Sequence, residues 1–274
     1  MIDGNIVILG SRGMLGQMVK IYFSNNNFNV EIIEERFNEQ DHEEFIEKLN
    51  SLPSSIIVNC IGKIKQKSTD SKEFFLSNTI LPLELARSLK THHLLIHPST
   101  DCVFDGLKQG LYNYDDQHTA KDVYGWSKSL GETAVLTREN TIIFRVSIIG
   151  TDIYSDKGLL AWFLSNPPNS KINGYTNHYW NGITTLEWCK KLHVLIKSKK
   201  LLKNALEKKI IQLGSKNIYS KYQILMSLQD IYGTNHKITP YQTSLVNRCL
   251  NPMMVSKPLE LQLAELSRYG YNGA

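Results

Sequence analysis

Cysteine is scarce in this chain of 274 residues: its four thiols, Cys60, Cys102, Cys189 and Cys249, lie far apart. That spacing leaves no pair fit to grip a zinc ion, and unpaired thiols suit a reducing, cytoplasmic setting. Long apolar runs are missing too. None approaches the roughly 20 residues a membrane-spanning helix needs. The first, Ile6-Val7-Ile8-Leu9, is too short for the core of a secretory signal. Neither sign of charge dominates: 31 Lys and Arg stand against 26 Asp and Glu, a formal net charge of +5. Lysines cluster only at 63–67 and 197–209 and are not interleaved with aromatics, so no nucleic-acid module is expected. His92, His93 and His97 straddle a strand-like run without a carboxylate or thiol beside them, so no metal site is expected there. The sequence has no internal repeat and no low-complexity tract.

What is present is an α/β pattern. A hydrophobic share of 42% over this length can fill a sizeable core, as one large or two modest domains. Asn5 to Leu9 is a short β-branched run, expected as a strand buried on both faces. It leads into Gly10-Ser11-Arg12-Gly13-Met14-Leu15-Gly16, then into helical spacing through Met18, Ile21 and Tyr22. Strand, glycine turn and helix in that order form a dinucleotide-binding fingerprint. Glycines let backbone amides approach a pyrophosphate, which then lies at the positive end of the helix. Gly16 is expected to serve helix–strand packing. The next strand, Asn29 to Ile33, ends at Glu34-Glu35-Arg36. An acid there favours the free ribose of NADH, whereas Arg12 or Arg36 could meet the 2′-phosphate of NADPH. Both cofactors stay open.

The alternation continues. A helix over 41–49, a buried strand over 55–61 closing on Gly62, and a long helix over 74–90 carrying Asn78 are expected. Cys60 reads as a small buried hydrophobe. The strand that begins at Leu94 delivers Pro98-Ser99-Thr100 to the sheet edge where ligands gather. Beyond it come Asp101-Cys102-Val103-Phe104-Asp105-Gly106 and then Tyr124-Gly125-Trp126-Ser127-Lys128. Tyr124 and Lys128 fall one helical turn apart on one face. An ammonium so placed is expected to lower the phenol's pKa and suit it to proton transfer, with the Thr100 hydroxyl free to bond a carbonyl oxygen. A tyrosine–lysine pair alone also fits a solvated helix face; the glycine turn is the independent sign that favours chemistry. After a further strand at 141–146 the texture changes. Trp162 lies on a short helix over 159–164, and Asn177 and Trp180 fall in an aromatic and amide-rich stretch. Such side chains suit a sugar or a base, or else the lobe's own core. Helices are expected over 184–195 and 220–232, the second capped by Ser220, with a strand at 210–214 between them.

These residues resemble the extended short-chain dehydrogenases/reductases, and within them the dTDP-4-dehydrorhamnose reductase family. The likeness rests on Gly10-x-x-Gly13-x-x-Gly16, Asn59-Cys60-Ile61-Gly62, Asn78, Ser99 to Gly106, Tyr124-x-x-x-Lys128, Arg145-Val146-Ser147 and Ser220-Lys221-Tyr222. It implies a Rossmann-type doubly wound parallel sheet over 1–150 and a smaller, intertwined substrate-binding lobe over 151–274. It also implies reduction of a nucleotide-linked 4-keto-6-deoxysugar by NADPH or NADH, with a homodimer compatible with it. Catalysis would fall to Thr100, Tyr124 and Lys128. Cofactor contacts would come from Gly10 to Gly16, Glu34, Cys60, Ile61, Gly62, Asn78, Ser99, Tyr124 and Lys128. Asp101, Cys102, Val103, Phe104, Trp162, Asn177 and Trp180 would face the substrate. Cys102 stands where the family usually has tyrosine, and Ile148 where it has an aromatic. A tightly cofactor-bound epimerase and a non-catalytic dinucleotide-binding subunit are the rival readings.

Overall fold

The computed structural model describes residues 5–38 and 40–269. In the first half, β1 (Asn5–Leu9), α1 (Met14–Asn25), β2 (Asn29–Ile33), α2 (His42–Ser51) and β3 (Ile56–Asn59) alternate. Then come α3 (Ser71–Phe75), a π-helical turn (Leu76–Ile80), α4 (Leu81–Ser88), β4 (Leu94–Ser99), α5 (Val123–Leu136) and β5 (Thr141–Arg145). The second half runs β6 (Ile148–Ile149), α6 (Leu159–Ser165), β7 (Lys171–Tyr175), β8 (His178–Trp180), β9 (Ile183–Thr184), α7 (Thr185–Lys197) and α8 (Lys199–Lys208). It ends with β10 (Ile210–Ser215), β11 (Tyr219–Ser220), α9 (Lys221–Tyr232), β12 (Lys237–Tyr241), β13 (Val246–Asn247), β14 (Met254–Ser256) and α10 (Leu259–Arg268).

Seven strands form one sheet in the order β14-β10-β5-β4-β3-β1-β2, and every pairing in it is parallel. Strand alternation sends Ile6, Ile8, Val58, Ile96 and Phe144 into one core with Trp188 and Leu192 of α7. Val7, Leu9, Ile57, Leu95 and Ile143 enter a second core with Phe45, Leu81, Leu85 and Val135 from α2, α4 and α5. A sheet covered on both faces needs continuous apolar strands, and β3 and β5 are buried throughout. The strand order reverses at β1, with β2 on one side and β3 on the other, which opens a crevice at their carboxyl ends.

One expectation is corrected here. The single helix over 74–90 is broken into α3, the π turn and α4. Pro82 has no N–H to give the Asn78 carbonyl, so the regular ladder cannot run through this point, and the wider turn places Asn78 inward. The two halves of the chain interlock in the sheet. β10 and β14, from the second half, supply two of its seven strands, and α7 lies over α1. No helix among the described residues is long and apolar enough to cross a membrane.

Candidate active site

The glycine turn is built by close approach. Gly10 has φ +78°, and a Cβ there would lie 2.9 Å from the backbone nitrogen of Ile61. A Cβ on Gly16 would lie 2.2 Å from the Gly10 carbonyl oxygen, so this glycine seats α1 against the turn. Gly13 is the N-cap of α1, with no side chain capping it and no acid in the first turn. The amides at the positive end of a 12-residue helix are thereby left for an anion, the arrangement a pyrophosphate fits. Leu15 is buried and can serve only through its backbone. Arg12 and Glu34, the two conflicting cofactor signals, meet as an exposed ion pair at 3.9 Å beside the end of β2.

The carboxyl end of β4 carries Thr100. Its Oγ1 accepts the Cys102 N–H at 3.1 Å and donates to Asp101 Oδ1 at 3.1 Å, and Thr100 acts to lower the pKa of the Tyr124 phenol. Tyr124 reaches it because Gly125 lets α5 dock onto this turn. A Cβ on Gly125 would stand 2.4 Å from the Cys102 carbonyl oxygen. Asp122 caps α5 by accepting the Gly125 N–H at 2.9 Å. Lys128, one turn further on, is buried and donates from Nζ to the Pro98 carbonyl at 2.8 Å. Burial pushes its ammonium down to about 8, against the opposing pull of Glu132. The expected lowering of the phenol by Lys128 is not what the structure gives. Burial raises the Tyr124 pKa, with Cys102 and Asp101 adding to it and Thr100 opposing. At neutral pH the phenol therefore holds its proton, ready to donate.

Several other expected contacts are redirected. Asn78 gives Nδ2 to Ser127 Oγ at 3.1 Å and to the Lys63 carbonyl at 3.0 Å, while its Oδ1 accepts the Lys63 N–H at 2.9 Å. Its amide thus holds the loop after β3. Ser99 Oγ is spent on Glu132 Oε2 at 2.5 Å. Val103 and Phe104 are buried in a small core with Tyr112 and Leu250. Trp180 is buried too, and its Nε1 donates to Ser147 Oγ at 2.8 Å. Asn177 uses both ends of its amide on the Thr243 backbone. Trp162 lies 43% exposed on the outside of α6. Asp101 and Cys102 remain half-buried beside Thr100, where burial and Asp101 push the Cys102 thiol up to about 12. Cys60 is also half-buried, at the end of β3.

Sequence reasoning missed two cations at this spot. Lys221, the first residue of α9, has its pKa pushed down by burial and feels Asp101 and Cys102. Arg248 donates to the Phe104 carbonyl at 2.8 Å. Only folding brings them beside residue 101, from more than a hundred positions away. Lysines of the 63–67 cluster also close on the site, at Asp122 and Asp152.

Known proteins resemble this chain in sequence and fold. The chain is 29% identical over 150 residues to a dTDP-4-dehydrorhamnose reductase of Aggregatibacter actinomycetemcomitans, covering 52% of this chain and 50% of that one. It is 38% identical over 86 residues to a probable dTDP-4,6-dihydroxy-2-methyloxan-3-one 4-ketoreductase of Streptomyces antibioticus, covering 30% and 29%. The matched part spans half or less of the length of these curated relatives. In three dimensions it superposes on a Bacillus anthracis dTDP-4-dehydrorhamnose reductase solved with NADP, with a TM-score of 0.80 and 15% identity, over 97% of this chain and 99% of that one. A profile of the family described as RmlD substrate binding domain matches residues 4–164, more than half of the sequence. The chain belongs to the RmlD substrate binding domain family.

Proposed function

We propose that this protein reduces the C4 ketone of a nucleotide-linked 4-keto-6-deoxysugar, using NADPH or NADH. The observation that carries the reading is the convergence of Thr100, Tyr124 and Lys128 at the carboxyl end of β4, in the same sheet as the open glycine turn after β1. The names of the relatives point to the same reaction. A reduced nicotinamide would supply the hydride. The chain supplies the rest. The amides of residues 11–15 bind the pyrophosphate, and Lys128 holds the nicotinamide ribose with the N–H groups Pro98 leaves free. The Thr100 hydroxyl hydrogen-bonds the keto oxygen, and Tyr124 gives its proton to the alkoxide that forms there. A phenol kept protonated by burial suits this direction, because an alkoxide is the stronger base. Asp101 and Cys102 flank the sugar, with Lys221 and Arg248 behind them.

The test follows reduced-cofactor absorbance with a panel of nucleotide-linked 4-keto-6-deoxysugars. Loss of one cofactor per sugar reduced is expected with at least one member, and NADPH and NADH run in parallel settle the phosphate preference. Tight cofactor binding without consumption across the panel would overturn the reading in favour of an epimerase or a binding subunit. Tyr124→Phe is expected to lower kcat by about 10²–10⁴-fold, the usual worth of a positioned proton donor. Cofactor affinity, measured by nucleotide fluorescence, should stay unchanged.

A further inference from the structure

The lysine cluster at 63–67 has no part in the reaction derived above, yet its three lysines fan out onto three carboxylates. Lys63 pairs with Glu73 at 3.1 Å, Lys65 with Asp122 at 2.6 Å and Lys67 with Asp152 at 2.9 Å. Lys65 is the one that bears on Tyr124. Its Nζ lies 5.7 Å from the centroid of the Tyr124 ring. Its partner Asp122 is the N-cap of α5, two residues before that tyrosine. Tyr124 thus has beside it a carboxylate that disfavours its anion and an ammonium that neutralises the carboxylate.

We propose that Lys65 is a positioning residue for Tyr124: paired with Asp122, its ammonium stabilises the phenolate left when the phenol has given its proton to the substrate oxygen. The inference rests on the reading of Tyr124 as proton donor. In that step the phenolic O–H bond breaks and the alcohol O–H bond forms. The oxidised partner is the nicotinamide and the reduced one the sugar ketone, so the phenolate is the only new anion on the protein. Asp122 and Asp101 beside it are acidic, Cys102 is half-buried, and Lys128 donates to the Pro98 carbonyl. Phe74 meets the ring edge-on from α3 at 6.1 Å. Lys221 and Arg248 stand behind Asp101 and Cys102. Lys65 places its ammonium 5.7 Å from the ring centroid.

The reaction run backwards reads this directly, since alcohol oxidation needs the phenolate as base and its rate climbs with pH through the phenol's titration. Lys65→Met is expected to move that rising limb up by about one pH unit, the scale of one lost charge interaction near a protein surface. Lys65→Arg should hold the limb in place. Lys65→Met combined with Asp122→Asn should bring it back toward wild type, because asparagine still caps α5 and the uncompensated charge is gone. A substrate-free readout runs alongside: fluorotyrosine incorporated at position 124, whose acidity falls in a convenient range, titrated by ¹⁹F NMR with and without Lys65→Met. A higher midpoint in the variant supports the proposal. An unmoved limb and an unmoved midpoint overturn it, as does a loss of rate equal at every pH that Lys65→Arg fails to repair. A wild-type protein inert toward every sugar would sink the reaction while leaving the NMR comparison to decide on Lys65.

Discussion

Glu132 is fully buried, yet both its oxygens are engaged. Oε2 accepts from Ser99 at 2.5 Å and from Arg145 Nε at 3.2 Å, while Oε1 meets Arg145 Nη2 and lies 3.3 Å from His118 Nε2. Burial alone would raise its pKa; His118 and Arg145 instead hold it down to about 2. A carboxyl depressed in the folded state contributes stability that is present above its unfolded pKa, near 4.3, and is lost as pH falls toward 2. Denaturant midpoints measured from pH 6 downward should therefore drop below about pH 4.5. Glu132→Gln should flatten that acid dependence and cost roughly 3–5 kcal/mol at neutral pH, because Arg145 is left buried without its partner. Lys128 behaves in the opposite sense. Its folded pKa of about 8 lies below the unfolded value of about 10.4, so its burial weakens the fold below pH 8 and that cost fades as pH rises to 10.4. In the proposed mechanism activity runs against this, since the ammonium would hold the ribose. The cofactor KM is expected to rise above about pH 8, and a KM flat from pH 7 to 9.5 would refute that.

At the scale of elements, two junctions position the site. The first is α5 on the turn after β4, where Gly125 stands against the Cys102 carbonyl. Gly125→Ala must push the helix back and carry Tyr124 away from Thr100. A displacement of that size is expected to cost about 10²-fold in kcat, with only ~1–3 kcal/mol of stability lost; parallel kinetics and melts would separate the two effects. The second junction is the loop after β6. Asp152, 7% exposed, accepts from Gln17 Nε2 at 3.0 Å and from Lys67 Nζ at 2.9 Å, and Gln17 also holds the Arg12 carbonyl at 2.9 Å. The loops after β3 and β6 are thereby tied to each other and to the glycine turn. Asp152→Asn keeps the size of the side chain but weakens the tie to Lys67, so reduced cofactor should leave several-fold faster, as stopped-flow nucleotide fluorescence would register.

The whole molecule is one sheet drawn from both halves of the chain. β5 is buried along its entire length because β10 lies beside it, and β10 is in turn paired with β14. A chain ended after Gly150 would leave β5 as a long apolar edge, the kind of surface that aggregates. Loss of cooperative melting, followed by circular dichroism, is the expected result. A cooperative transition in the shortened chain would show instead that the first half folds alone.

The sequence alone carried the βαβ order of the first half, the glycine turn and the Thr100–Tyr124–Lys128 triad. Each of these is local: strand, turn and helix preferences act over a few residues, and a four-residue spacing on a helix needs no tertiary contact to interpret. Even there, Pro82 signalled a break in the helix after Phe74 that apolar periodicity concealed. What surrounds the triad was not legible. Trp180, left open between a ligand contact and the lobe's own core, and Phe104 are buried, because burial depends on what packs against a side chain and not on its type. Lys221 and Arg248 come to Asp101 only when the second half folds over the end of β4. The sign of the Tyr124 shift went the same way: spacing to Lys128 suggested a lowered phenol, while desolvation, a property of the folded surroundings, raised it. Sequence determined the order of strands and helices and the spacing of Tyr124 and Lys128, since bonding patterns along the backbone are short-range; tertiary structure decided their charge and their neighbours, since electrostatics and burial are summed over the whole fold.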